Sequence, residues 1–188
     1  MIIGTTSDDL GFFHARTIAE LFAPFGAHAA QARAAFDPGS NGSVAQVGWR
    51  IGGVRDMLEP ARFVGRRMAA SGQPAWEYRF SYIQTAMRKK LHGAPHFSEV
   101  PFVFQSLRQV TGSEFSKDIS AADKAMARTI HAYWVNFART GNPNGPGLPH
   151  WPAIRADGNE LMNFTMQGAK AETDPRKKQL DLVEPLQK

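Results

Sequence analysis

Residues 1–22 read MIIGTTSDDLGFFHARTIAELF. Ile2 to Thr6 are apolar or small and read as a short buried strand that runs straight into Ser7, Asp8 and Asp9. Phe13, Ile18, Leu21, Phe22 and Phe25 then recur at helical spacing, until Pro24-Phe25-Gly26 stops the pattern. A strand that ends on carboxylates and passes into a helix is a βα unit. In open α/β sheets the working groups sit at the carboxyl ends of the strands. Asp is also a favoured helix cap, so one of the two acids is free to cap while the other faces a site.

Downstream, an Ala-rich helix is expected over about 27–35, followed by turn chemistry in Asp37-Pro38-Gly39-Ser40-Asn41-Gly42 on the surface between helices. Helical character returns over 44–58. Pro60 suits the first turn of a further helix that ends near Ser71-Gly72. AWEYRFSY (75–82) alternates large aromatic with polar residues and reads as a half-buried strand. A long helix is predicted from Ala121 to Thr140, with Ser120 as N-cap, Asp123 completing the capping pattern, and Met126, Ile130, Tyr133, Trp134 and Phe137 as its buried stripe. Leu161 to Thr165 reads as a weak strand and 176–186 as a terminal helix. Three strands against six or seven helices are too few to cover those helices in a self-sufficient α/β domain.

The chain has 188 residues, of which 43% are hydrophobic and 21% charged, values ordinary for one globular domain with a core. Cysteine is absent, which excludes disulfides, a thiolate nucleophile and cysteine-ligated zinc. No apolar run is long enough to span a bilayer, and no secretory signal pattern is visible. The net charge of +5 comes partly from short clusters: Arg66-Arg67, Arg88-Lys89-Lys90 and Arg176-Lys177-Lys178. These do not interleave with aromatics on one periodic face, so they read as solvated surface and no nucleic-acid partner is expected. His92 and His96 are four apart, but Gly93 and Pro95 between them oppose a helix and no third ligand is evident, so no metal is expected.

The order of the remaining candidates carries more. An acid ends one strand, and a loop histidine, His96, follows a later strand. This is the acid-then-histidine order of α/β-hydrolases, in which the acid accepts Nδ1–H and the other ring nitrogen takes a serine proton.

Four stretches make the resemblance specific. IGTTSDDLGFF (3–13) resembles the segment around the catalytic acid of the type B carboxylesterases, the α/β-hydrolase family that includes the cholinesterases. PARFVGRRMAASGQPAWEYRFSY (60–82) resembles that family's helix and strand before the catalytic histidine, and GAPHFSEVPFVF (93–104) its histidine loop. YWVNFARTGNPNGPGLPHWP (133–152) resembles its late helix and exit. The resemblance implies that residues 1–188 are the C-terminal part of an α/β-hydrolase domain, the last core strands plus helices, with no separate second domain and with the sheet incomplete in this chain. It implies His96 as catalytic base and acid, Asp9 as the orienting acid, and Glu99 as a brace of the histidine loop. Asp8 remains a contender for the acid. The chain departs from the family pattern with Asp9 where Glu is usual and Leu10 where Gly is usual. Phe12, Phe13, Phe97 and Trp76 are candidates for an apolar substrate wall, against the plainer expectation that they are core. His14, His28, His92, His131 and His150 have no family role. No cofactor is implied.

Gly-x-Ser-x-Gly, the family's nucleophile frame, does not occur, and neither does Ser-x-x-Lys. The glycine-rich oxyanion loop is also missing, since Gly52-Gly53 follows no strand. Acid and base are thus expected without nucleophile. The expected substrate is a carboxylic ester and the expected partner an N-terminal half of the same enzyme. Two alternatives stand beside this reading: a non-catalytic interaction module on the same fold, and a small esterase with an unrecognised serine.

Overall fold

The computed structural model describes residues 1–109, 112, 113 and 115–187. Its centre is a four-stranded sheet in the order β1 (Ile2–Thr6), β2 (Trp76–Phe80), β3 (Glu160–Thr165) and β4 (Gly168–Thr173). β1, β2 and β3 are parallel, with Ile3 opposite Glu77 and Tyr78 opposite Met162; β4 returns antiparallel to β3. Among the described residues β1 pairs on one side only, so its other edge is open, and its side chains are half-buried until Thr6. β4 was not expected. Its AKAE core has weak strand propensity, and pairing with β3 through a tight turn at Thr165–Gly168 makes it a strand.

The chain between β1 and β2 is helical. The pattern expected to begin at Phe13 is realised as a short helix, α1 (Ile18–Phe22), capped by the Thr17 hydroxyl, followed by a 3₁₀ stretch (Ala23–His28) kinked at Gly26. α2 (Ala29–Phe36) follows. The turn after it lies on the surface between helices, as expected, with residues 38–41 exposed, and it is anchored at its start by buried Asp37, which accepts the Gly42 N–H. α3 (Val44–Gly53) starts with a reciprocal Ser43–Gln46 capping box. Pro60 does not open a separate helix. Helical backbone continues from α3 through a widened π turn (Val54–Leu58) into α4 (Glu59–Ala70). The Glu59 N–H reaches back five residues to the Val54 carbonyl, and the loosened turn sits where the proline ring would otherwise crowd the preceding carbonyls.

α5 (Val100–Val103) and α6 (Ala121–Thr140) lie between β2 and β3, and α7 (Lys177–Val183) closes the described chain with a 3₁₀ turn (Glu184–Gln187). α6 has the predicted bounds and the Ser120–Asp123 capping box, and it ends on Gly141 in the left-handed region.

Two cores result. One is aromatic: Trp76, Phe80, Tyr133, Trp151 and Phe164 lie between the sheet and α6, with Tyr133 and Trp151 edge to face at 5.3 Å. The GNPNGPGLPHW stretch serves this core, because Asn144 bonds both backbone groups of Trp151 and seats its ring. The other core joins α1, α2, α3 and α7 through Phe22, Phe25, Phe36, Val47 and Leu180.

β2 differs from the half-buried strand expected of it. Its aromatic face meets α6, and its polar face is buried as well, with Glu77 and Arg79 each under 10% exposed. Burial and the nearby Asp174 push Glu77 up to about 8. Burial, with Arg176 close by, pushes Arg79 down to about 10. α4 packs on this side, and its buried Arg62 bonds Glu59, Asp181 and Glu184, tying α4 to the C-terminal helix.

Candidate active site

The end of β1 builds the site. After Thr6 the strand direction persists: Ser7 N–H donates to the Phe80 carbonyl, and Asp8 N–H donates to the Ala94 carbonyl. The Ser7 hydroxyl accepts the Ala94 N–H at 2.8 Å, and Asp8 and Pro95 form a single parallel bridge. These bonds dock the loop after β2 against the end of β1. Gly93 permits the approach, since a Cβ there would stand 2.6 Å from the Asp8 Cβ. Ser7 and Gly93 carried no functional signal in the sequence, because a backbone pairing between distant loops has no local pattern.

One residue past the bridge on each side, the His96 Nδ1 lies 2.5 Å from Asp9 Oδ1. Asp9 is buried, and its carboxylate is fixed twice more: Oδ2 accepts the Thr6 N–H and Oδ1 the Leu10 N–H, both at 2.9 Å. A carboxylate so placed accepts Nδ1–H and holds the imidazole in one orientation. The His96 side chain is 29% exposed, and among the described residues its Nε2 meets no hydrogen-bond partner. The pair is therefore a partly exposed imidazole backed by a buried acid.

Asp8 points elsewhere, accepting the Trp49 indole N–H, and it lines a small cleft with Trp49, Arg50 and Arg176 behind the pair. Glu99 accepts the Tyr78 hydroxyl at 3.3 Å, which ties the histidine loop to β2. Burial raises Glu99 above the usual carboxylate range, and its second oxygen is buried without a partner among the described residues.

The aromatic candidates separate. Phe97 is two-thirds exposed, directly beside His96, with ring centroids 4.0 Å apart. Phe12 is also exposed, its backbone clamped by Asp56 and Arg55. Phe13 instead packs on Gly48 in the helical core, and Trp76 is buried edge to face with Phe137. Both are core residues, where a substrate wall had been considered. Gly52 likewise has a packing role: the loop at Gly11–Phe12 crosses it so closely that a Cβ would meet the Phe12 N–H nitrogen at 2.6 Å. No group of three or more metal-ligating side chains occurs among the described residues, and none of the described helices is long and apolar enough to cross a membrane.

The profile of the carboxylesterase family matches residues 56–183, two-thirds of the sequence. The chain belongs to the carboxylesterase family. His96 and Glu99 lie inside the matched span and Asp9 before it. Among relatives, carboxylesterase 4A of Bos taurus is 37% identical over 113 residues, covering 55% of this chain and 19% of the relative. Carboxylesterase 1D of Rattus norvegicus is 39% identical over 97 residues, covering 50% and 16%. The crystal structure of the Geobacillus stearothermophilus carboxylesterase EST55 at pH 6.2 superposes with a TM-score of 0.65 at 28% identity, over 82% of this chain and 30% of that one. The architecture is thus that of part of an α/β-hydrolase carboxylesterase, and the chain spans about a fifth of the length of the curated relatives it matches.

Proposed function

We propose that this carboxylesterase-family chain supplies the acid and the base of a Ser-His-Asp triad for carboxylic ester hydrolysis. The observation that carries the reading is the Asp9–His96 bond at a strand end, with the imidazole partly exposed and Nε2 without a hydrogen-bond partner among the described residues. In this reading residues 1–188 are one part of a single α/β-hydrolase domain. The nucleophilic serine and the oxyanion donors come from another segment, an N-terminal half of the same enzyme.

The chemistry follows from the geometry. His96 Nε2 takes the serine proton as the oxygen attacks the ester carbonyl, and Asp9 stabilises the imidazolium that forms. The same nitrogen then returns the proton to the leaving alcohol. In the second half-reaction it activates the water that releases the acid. Asp9 serves although one methylene shorter than Glu, because the Thr6 and Leu10 N–H groups hold its carboxylate at the imidazole. Glu99 braces the loop through Tyr78. Phe12 and Phe97 are exposed apolar surface suited to the substrate's acyl or alcohol part.

A p-nitrophenyl ester assay tests this. The chain alone is expected to give no turnover, and mixing or co-expressing it with the serine-bearing N-terminal segment of a carboxylesterase is expected to restore hydrolysis that His96→Ala abolishes. Turnover by the chain alone of about 1–10³ per second, lost in His96→Ala, would overturn the divided-site reading.

A further inference from the structure

Of the three described non-glycine residues with positive φ, Phe97 is the large aromatic one, at φ 65°. Bulky side chains rarely adopt this conformation, and it costs backbone energy. Glycine would make the same turn freely. Burial does not offset the cost, because 66% of Phe97 is exposed. Its ring–ring contact among the described residues is with His96, at 4.0 Å between centroids and 54° between planes.

The turn itself is well made without the phenyl ring. Ser98 N–H donates to the Pro95 carbonyl and Val100 N–H to the Phe97 carbonyl. What the phenylalanine adds is an aromatic ring tilted against an imidazole whose Nδ1 edge is held by Asp9. A single hydrogen bond fixes a point on a ring and leaves rotation about it soft, whereas a second ring packed close against it restrains the plane.

We infer that Phe97 is a positioning residue for His96: its left-handed backbone presses the phenyl ring on the imidazole and pins that ring in the orientation that keeps Nδ1 on Asp9 and Nε2 directed outward. This deepens the role proposed above for His96 as general base and rests on it.

The test is NMR on the 188-residue chain labelled at histidine, reading the solvent-exchange rate of the His96 Nδ1–H proton. Phe97→Gly is expected to speed exchange roughly two- to tenfold, the factor that corresponds to losing one aromatic contact, without lowering the melting temperature, since glycine relieves the strain. Phe97→Tyr is expected to keep the slow rate. An unchanged rate in Phe97→Gly, or a Phe97→Tyr variant as fast as Phe97→Gly, would overturn the inference. If Phe97→Gly unfolds the chain, Phe97→Leu replaces it, with faster exchange expected in the folded chain and an unchanged rate overturning the inference. The two readings fail separately: loss of the restraint appears in exchange whatever His96 does, whereas a reconstituted enzyme that stays active as His96→Ala would remove the catalytic role and leave the contact intact.

Discussion

Asp9 and Asp123 are both buried carboxylates at the junction of a strand end and another element, and both accept several hydrogen bonds. Asp123 takes the Tyr82 hydroxyl at 2.7 Å, the Thr85 and Ser120 N–H groups at 2.9 and 2.8 Å, and the Thr85 hydroxyl at 3.1 Å. Its own N–H returns to the Ser120 hydroxyl, so the network closes on itself and fastens α6 to the end of β2. Burial alone would raise Asp123, and these bonds outweigh it and hold the group below its ordinary value. Asp9 takes two N–H groups and then a ring whose far nitrogen has no partner among the described residues. A closed network makes a fold anchor. An open one, ending on a partly exposed imidazole with an unpartnered nitrogen among the described residues, makes a candidate catalytic pair.

The largest effect that separates the two acids is on turnover. In the enzyme reconstituted with a serine-bearing segment, Asp9→Asn is expected to lower kcat about 10⁴-fold, the scale of losing the correct imidazole tautomer in a serine triad. Asp123→Asn is expected to leave kcat of the folded fraction within a few-fold. Parallel assays of the two variants with a p-nitrophenyl ester check this, and equal losses would break the comparison.

A third buried acid, Glu77, makes no side-chain hydrogen bond among those described. Its folded value of about 8 lies above the ordinary 4.5, so between these pH values the folded chain holds a proton that the unfolded chain has released. Stability is therefore full below about pH 4.5 and falls as pH rises toward 8, by roughly 3–5 kcal/mol at most. Glu99 and Asp174, also raised by burial, act in the same direction. Denaturant melts at pH 5 and pH 8 should show the fall, and Glu77→Gln should flatten most of it.

Asp123→Ala should cost about 2–3 kcal/mol in the same melts, from the lost cap and the stranded Tyr82 hydroxyl, with the His96 signals unmoved. Ser7→Ala should cost only about 1 kcal/mol, from the Ala94 N–H it leaves without its acceptor, yet shift the His96 signals because that bond docks the histidine loop.

What was legible in the sequence divides along the same line. α6 could be read to its ends because its cap, stripe and stop are local signals. The Asp9–His96 pair was read from strand-end placement and the family-like segments around it. The polar face of β2 was misread because alternation normally means one wet face. Here α4, which supplies the buried Arg62, packs on that face. β4 escaped notice because the strand exists through its pairing with β3. Phe13 fits a helical period by number alone, while Gly11 and Gly52 bring its loop flat against α3. Long-range backbone contacts, such as Asp8 with Ala94, leave no trace at either position.

The central claim is that buried Asp9 holds the His96 imidazole with its proton on Nδ1 and its lone pair on Nε2. Nitrogen-15 chemical shifts of the His96 ring at a pH where it is neutral report the tautomer directly. The account predicts the Nδ1–H form in the chain and its loss in Asp9→Asn. A neutral His96 carrying its proton on Nε2, unchanged by Asp9→Asn, would contradict it.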